Sequence, residues 1–241
     1  MDPRQRQLLE KAAQSCNNSM KLVTDLLRLR SLDELREENL VPVNLATVFE
    51  HAIDRVRDAA QARTVTLHDQ ADIAALRLAW IRGDASVLGE VFHVLLDNAI
   101  KYTPAGGTVV ARLFVEGPAE YAQADASSDA RERIVFEVLD SGIGIPADAF
   151  EKIFGEFYRA ENATRLGISG SGLGLAFAAR AAKFMRGSIT LTPGDTGGVC
   201  ARALFPQCPD CVRQAAESGV ARVSPGTCPI WTASRRSHSA S

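Results

Sequence analysis

Strand-like and helix-like segments follow one another in pairs along this 241-residue chain, and regular strand–helix–strand units are missing. Apolar residues recur at helical spacing from Leu45 onward, with Asn44 as a plausible cap, and again from Asp84 to about Tyr102. Short β-like runs lie at 65–68, 76–81, 108–115, 134–139, 188–192 and 199–205. This order favours an α+β fold with helices on one face of a mixed sheet.

The N-terminal segment carries a heptad pattern. Its apolar positions are Leu9, Ala13, Cys16, Met20, Val23 and Leu27. This spacing predicts a helix that pairs with other helices, although a single amphipathic helix lying on its own domain remains possible. A charged patch at 33–38 then leads to Val41-Pro42-Val43, where proline predicts a domain boundary. We therefore expect a helical segment over 1–38 and a larger domain over 42–206.

Overall charge gives no reason to expect a polyanionic partner. Lys plus Arg number 27 against 29 Asp plus Glu, which leaves a net charge of -2. Nucleic acid is therefore not an expected partner, and any polyanion must be bound locally. No apolar run is long enough to span a membrane and the start lacks a signal-peptide pattern, so we expect a cytoplasmic location.

Two stretches have the composition of irregular chain. The segment 116–133 is rich in Ala, Ser, Asp and Glu and predicts a mobile loop between two strands, and residues 207–241 predict a poorly ordered tail. Five cysteines suggest no even disulfide framework, so a reducing compartment is expected. The pair Cys208 and Cys211 resembles half a zinc site, but Cys228 and His238 complete no common ligand spacing.

Three clusters carry residues with chemical potential. The first, 96–104, places Asn98 and Lys101 on a helix face that also holds Glu90 and Val94. An amide oxygen there suits a hard cation, an ammonium suits phosphate, and the Tyr102 ring suits a base. Without further evidence, a capped helix with a solvated polar face is the simpler interpretation.

The second cluster, 138–146, follows an apolar strand directly. Its glycines, Gly142 and Gly144, allow a sharp turn and close approach to a flat ligand. The carboxylate of Asp140 at the strand end suits an exocyclic amino group. A plain Asp-Ser-Gly turn explains the same residues.

The third cluster, 167–175, is glycine-rich and precedes a helical pattern, which exposes backbone N–H groups to an anion. It lacks the Gly-Lys-Ser/Thr of a Walker loop, and no dinucleotide-binding unit accompanies it. Between the last two clusters, aromatic residues over 150–158 lead to Arg159 and to a polar segment over 160–169 that suits a lid.

In this order and at these distances, the motifs Asn-Ala-x-Lys-Tyr-Thr-Pro, Asp-Ser-Gly-Ile-Gly-Ile, Phe-x-x-Phe-Tyr-Arg and Gly-Ser-Gly-Leu-Gly-Leu resemble the N box, first glycine box, F box and second glycine box of sensor histidine kinases. The resemblance covers about 43–206. Residues 20–32 also look like the closing part of the second helix of that family's dimerisation and phosphotransfer hairpin.

The resemblance implies a two-layer α/β sandwich that binds ATP and Mg²⁺ under a mobile lid. Asn98 would bind magnesium, Lys101 a phosphate, and Tyr102 would pack near the adenine. Asp140 would accept from the adenine amino group. The base pocket would be shaped by Gly142, Ile143 and Gly144, and the lid would be anchored by Phe154, Phe157 and Tyr158. Arg159 would approach the terminal phosphate. The phosphate path would be lined by Gly170, Ser171, Gly172, Leu173, Gly174 and Leu175.

Two positions depart from the family pattern. A second asparagine usually stands one turn before Asn98, where this chain has Val94, which cannot ligate a cation. The usual phosphorylated histidine also has no counterpart among His51, His68, His93 and His238. We therefore expect the sequence to begin inside the second hairpin helix.

These features favour a kinase catalytic region that transfers the γ-phosphoryl group of ATP to a histidine supplied elsewhere. A response regulator and a homodimer through the N-terminal helix are the implied partners. A gyrase-type or chaperone-type ATPase with Glu90 as base, and a non-catalytic module that binds nucleotide and regulates a full kinase, are the alternatives.

Overall fold

The computed structural model describes residues 2–71, 77–117, 132–195 and 197–217. The helices are α1 (Pro3–Ser31), α2 (Leu45–Ala62), α3 (Ala85–Tyr102), α4 (Glu161–Arg165), α5 (Gly174–Phe184) and α6 (Pro209–Glu217). The strands are β1 (Val41–Asn44), β2 (Thr66–Ala71), β3 (Trp80–Gly83), β4 (Thr108–Glu116), β5 (Arg133–Asp140), β6 (Ser188–Pro193) and β7 (Val199–Pro206).

The main sheet has five strands in the order β2-β4-β5-β7-β6. The β2–β4 pair is parallel and the other neighbours are antiparallel, so the sheet is mixed. Helices α2, α3 and α5 bury their apolar faces in one core with the inner face of this sheet. The rings of Phe92 and Phe136 stack in that core at 3.9 Å, and Phe49 meets Phe136 edge-on. The predicted α+β sandwich is confirmed.

Local capping fixes where the two long helices of this layer begin. Asn44 accepts a hydrogen bond from the Ala46 N–H at 2.8 Å, as its position before α2 predicts. Asp84 accepts from the N–H groups of Ser86 and Val87, which starts α3. These caps satisfy N–H groups in the first turns of α2 and α3.

The outer face of the sheet carries a row of paired charges. Arg112 lies opposite Glu137, and Glu137 lies opposite Arg202, in adjacent strands. The Arg112–Glu137 and Arg202–Glu137 ion pairs measure 3.2 and 3.4 Å. This row makes the outer face polar and leaves the core to the helical side.

The N-terminal heptad segment is a helix that is buried only in part. Large apolar side chains along its length are exposed: Leu8, Leu9, Met20, Val23 and Leu27. Leu29, by contrast, is buried, as is Leu32 just after the helix, and both join the core of the sandwich. The end of α1 thus docks on the larger domain, while the division at 38–42 stays a prediction.

The stretch at the predicted domain boundary is a strand. Val41–Asn44 pairs with β3, and Pro42 is tolerated because this two-stranded sheet leaves it at an edge. Residues Pro209–Glu217 form a helix, because Cys211 and Ala215 bury an apolar face, so the prediction of a poorly ordered tail is wrong over these residues.

Cys208 and Cys211 are bonded to each other, a disulfide that the odd number of cysteines did not predict. Most of the predicted mobile loop, 118–131, and the tail from 218 lie outside the described residues. Within the described ranges, no helix is both long and apolar enough to cross a membrane.

Candidate functional site

A cavity of about 370 Å³ opens between α3, the strand ends, the lid segment and α1. Most of the site residues predicted from sequence line it: Asn98, Lys101, Tyr102, Asp140, Ile143, Gly144, Tyr158, Arg159, Gly170, Ser171, Gly172, Gly174 and Leu175. Two predicted residues do not line it. Gly142 packs against the Tyr102 carbonyl, and Leu173 is fully buried in the core. The tertiary structure thus brings three separate clusters to one cavity.

Asp140 ends strand β5 inside this cavity. Its Oδ1 accepts hydrogen bonds from the N–H of Gly142 at 2.8 Å and from the N–H of Val199 at 3.2 Å. Burial raises the pKa of this carboxyl, and the two N–H bonds oppose that shift. Both bonds end on Oδ1, so neither occupies Oδ2. The lining nearby includes the apolar side chains of Val138, Leu191 and Ala201.

The turn after Asp140 needs glycine for two different reasons. Gly144 has φ 67°, and a Cβ there would lie 2.6 Å from the carbonyl oxygen of Gly197. At Gly142, a Cβ would lie 2.6 Å from the carbonyl oxygen of Tyr102. The side chain of Asn162 donates to the Gly144 carbonyl at 3.0 Å, which ties the lid segment to this turn. Sequence reasoning missed Asn162, since its role depends on a distant contact.

Lys101 and Tyr102 stand at the last turn of α3. The Lys101 ammonium lies 3.3 Å from the Tyr102 hydroxyl oxygen and packs over its ring. Burial lowers the pKa of Lys101 to about 8, and the nearby Lys21 ammonium adds to that shift. A Cβ on Gly170 would lie 2.7 Å from Lys101 Nζ, so the glycine leaves room for the ammonium. A cation therefore faces the glycine-rich segment.

Arg159 lies at the start of the lid segment. Its guanidinium donates to the Ile168 carbonyl, and its Nε is buried without a hydrogen-bond partner among the described residues. Tyr158 beside it is half-buried and lines the cavity. Phe157, predicted to anchor the lid, is 56% exposed. Phe157 has φ 61° and its backbone approaches Gly172, and its role as a lid anchor stays a prediction.

Helix α1 covers one side of the cavity, which the sequence did not predict. The Ser171 hydroxyl donates to Asp25 Oδ2 at 2.6 Å, although 146 positions separate them. Asp25 is only 8% exposed. Lys21 lies 3.9 Å from Asp97, and Arg28 lies 3.1 Å from Glu90. In the sequence these polar residues look like the solvated side of a heptad helix, so no local pattern indicates their contacts.

The polar face of α3 contains one amide that suits a cation. Asn98 lines the cavity, and Val94 lies one turn earlier. The Val94 side chain packs against Gly174, since a Cβ added to Gly174 would lie 3.3 Å from Val94 Cγ1. His93 also lines the cavity, and its pKa is lowered by burial and by Arg55. Among the described residues no cluster of three or more His, Cys, Asp or Glu suits a metal. Asn98 contributes an amide to the cavity lining, and its side-chain oxygen suits a hard cation.

Comparison with known proteins agrees with this geometry. Residues 83–209 match the family model described as histidine kinase-, DNA gyrase B-, and HSP90-like ATPase. The chain is 31% identical over 183 residues to sensor protein CreC of Escherichia coli K12, covering 75% of this chain and 34% of that protein. It is 34% identical over 170 residues to sensor histidine kinase Hik2 of a Synechocystis species, covering 70% and 36%. The chain therefore spans about a third of the length of these relatives.

Solved structures show the same fold at lower identity. Full-length ShkA in complex with AMPPNP aligns with a TM-score of 0.62 at 21% identity, over 86% of this chain and 40% of that one. The mycobacterial sensor histidine kinase MprB aligns with a TM-score of 0.54 at 24% identity, over 70% and 99%. These likenesses concern the fold.

Proposed function

This chain belongs to the histidine kinase-, DNA gyrase B- and HSP90-like ATPase family, and from that premise we propose that its cavity binds ATP with magnesium for phosphoryl transfer to a histidine. The chain carries the ATP-binding catalytic domain of this family. An ATP-consuming site of this kind operates in the cytoplasm, where ATP is available.

The observation that carries the proposal is the environment of Asp140. Oδ1 is held by two backbone N–H groups, so the carboxylate has a fixed orientation. Oδ2, which those bonds leave unused, would accept from the exocyclic amino group of adenine. Apolar lining residues suit the faces of a purine ring, and they strengthen this hydrogen bond by excluding water.

The phosphates of ATP would lie against the part of the cavity lining formed by Lys101, Arg159 and residues of the segment 170–174. Lys101 provides an ammonium, and Arg159 provides a guanidinium whose Nε is unused by described residues. Residues 170–174 lead into α5, so their N–H groups and the start of the helix attract an anion. These local cations fit a polyphosphate even though the chain as a whole is slightly acidic.

Magnesium fits this site with one protein ligand. Mg²⁺ usually keeps several waters and takes one or two side-chain oxygens together with substrate phosphates. The Asn98 amide oxygen would be that ligand, and Val94 contributes none. When bound, the ion neutralises charge on the phosphates. We expect Val94→Asn to tighten magnesium-dependent ATP binding, as measured by titrating magnesium at fixed ATP.

Phosphoryl transfer depends mainly on positioning and on charge stabilisation, which these residues would supply. Lys101 and Arg159 would hold the polyphosphate, and Asp140 would fix the base. The acceptor would be a histidine of a longer native chain or of a partner. His51 and His68 are exposed on α2 and β2, away from the cavity lining.

Two partners follow from this proposal. A response regulator would receive the phosphoryl group from the histidine. A second copy of the chain would cover the exposed apolar residues of α1, whose heptad spacing suits a helical pair: Leu9, Met20, Val23 and Leu27.

The geometry argues against a hydrolytic ATPase that uses Glu90 as its base. Glu90 lies 2.9 Å from Arg55 and 3.1 Å from Arg28. Both guanidinium groups hold the Glu90 carboxylate in ion pairs, and Glu90 is not among the residues that line the cavity. Glu90 therefore links α1 and α2 to α3.

Calorimetric titration with ATP and with GTP, in magnesium, tests the base contact. Asp140→Ala should abolish measurable ATP binding in a folded protein. Asp140→Asn replaces one acceptor with an amide donor, so it should weaken ATP and relatively favour GTP, whose purine carries a carbonyl at the same position. Asp148→Asn, at an exposed position nearby, is the matched control and should bind like the parent. Equal ATP affinity in parent and Asp140→Ala would refute this assignment.

Transfer is tested separately, by incubating the chain with labelled ATP and a histidine-bearing helical hairpin from one of its relatives. Acid-labile phosphate on the hairpin, lost with Asn98→Ala, is the expected result. ATP binding without any transfer would favour the non-catalytic regulatory module.

A further inference from the structure

Cys208 and Cys211 lie at the start of α6, away from the cavity. Cys208 immediately precedes the helix, Cys211 is in its first turn, and the two are joined by a disulfide. Pro209 begins the helix with a fixed backbone, so the Cys-Pro-Asp-Cys segment holds both sulfurs at the helix N-terminus. We propose that this pair is a reversible thiol–disulfide exchange site for small thiols such as glutathione.

The two sulfurs differ in access and in their surroundings. Cys208 is partly exposed, whereas Cys211 is only 3% exposed. The Cys211 N–H points to Cys208 Sγ at 3.2 Å. In the reduced protein this N–H and the helix dipole favour the thiolate of Cys208. Cys208 is therefore the sulfur that meets an incoming thiol.

Reaction with a thiol proceeds in two balanced steps. A glutathione thiolate attacks Cys208 Sγ, forms a mixed disulfide, and expels the Cys211 thiolate, which takes up a proton. A second glutathione attacks the sulfur of the bound glutathione, releasing Cys208 and oxidised glutathione. The net change converts one protein disulfide and two thiols into a protein dithiol and one glutathione disulfide.

Contacts independent of the sulfurs hold the segment in place, which makes the reaction reversible. The Cys208 N–H donates to the Trp80 carbonyl at 2.8 Å, and the Gln207 side chain donates to the Leu78 carbonyl at 3.0 Å. Both cysteines therefore stay close after reduction. The disulfide closes a loop of only three positions, so it restricts the unfolded chain less than a long-range bridge does.

The other described cysteines lack these features. Cys16 is exposed in the middle of α1, and the pKa of Cys200 is raised by burial and by Glu137. Neither begins a helix or has a cysteine three positions away. They serve as internal references for reactivity.

The test is equilibration of the folded chain in buffers of graded glutathione ratio, followed by acid quench, alkylation and peptide mass analysis. Cys208 and Cys211 should gain alkyl groups together at one midpoint, while circular dichroism stays unchanged. In the reduced protein, Cys208 should be alkylated about tenfold faster than exposed Cys16 near neutral pH.

Matched single variants separate the two sulfurs. Cys211→Ser should accumulate a mixed disulfide with glutathione on Cys208, and Cys208→Ser should accumulate much less. Reduction of the bond only in denaturant, pairing of either cysteine with Cys228, or equal alkylation rates at Cys208 and Cys16 would each overturn the proposal. ATP binding by the same samples reports on the nucleotide site independently.

Discussion

The two glycine-rich segments of the cavity are held in different ways. The first, 141–145, is fixed within the sandwich: Ser141 accepts from the Thr108 N–H at 2.8 Å, and the Ile143 N–H donates to Tyr102 at 3.1 Å. The second, 170–174, has its one serine bonded to Asp25 of α1. This segment therefore contacts a helix whose first turns are exposed. The proposed base pocket is built into the fold, whereas α1 can influence the proposed phosphate segment.

The largest expected effect lies in the first segment. Gly144→Ala would force a side chain into a left-handed backbone and place its Cβ 2.6 Å from the Gly197 carbonyl. We expect loss of ATP binding and a clear fall in the free energy of unfolding, by denaturant titration.

Gly167→Ala is the matched control for that change. Gly167 has φ 66°, but a Cβ added there would meet open space, so only backbone strain of roughly 1–2 kcal/mol should appear. If both variants lose equal stability, close packing does not fix the first segment.

A smaller effect concerns charge facing the second segment. The proposed phosphate contact would require the ammonium form of Lys101, whose pKa burial lowers to about 8. ATP affinity should therefore be highest below pH 8 and fall as pH rises above it, by at most about tenfold per pH unit. Calorimetry in buffers of different ionisation enthalpy should detect proton uptake on binding near pH 8.

Three substitutions sharpen this result. Lys101→Arg keeps its charge over the whole pH range, so its ATP affinity should no longer decrease above pH 8. Lys101→Met should bind ATP about tenfold or more weakly, and its affinity should not depend on pH in this range. Lys21→Gln removes a like charge that lowers the pKa of Lys101, so the decrease in ATP affinity should move to higher pH. An unchanged profile in Lys101→Met would assign the titration to another group.

The smallest effect tests the link to α1. Asp25 places a buried carboxylate next to the segment proposed to hold phosphates, and it engages the Ser171 hydroxyl. Asp25→Asn removes the repulsion, so ATP affinity should rise roughly threefold by calorimetry. Asp33→Asn, which breaks the exposed pair with Arg180, should leave affinity unchanged. Weaker binding in Asp25→Asn would mean that α1 orders the segment for its ligand.

Local patterns allowed much of the architecture to be predicted. The helical spacing after Leu45 and after Asp84, with the cap at Asn44, predicted α2 and α3, because burial of one face and satisfaction of the first N–H groups are local requirements. The order of the glycine, Asn and Phe-Tyr-Arg motifs likewise indicated which residues would share a cavity. The individual roles within it remain predictions for the experiments above.

Contacts between distant residues were decided only by the tertiary structure. The N–H of Val199 that holds Asp140, the Asp25–Ser171 bond and the burial of Cys211 each require segments far apart in sequence to meet. The sequence by itself determined the elements and the motif order, because periodicity and capping act over a few residues. Packing decided which side of the cavity α1 covers, because a local pattern of apolar residues does not indicate a contact such as that between Asp25 and Ser171, which are 146 positions apart.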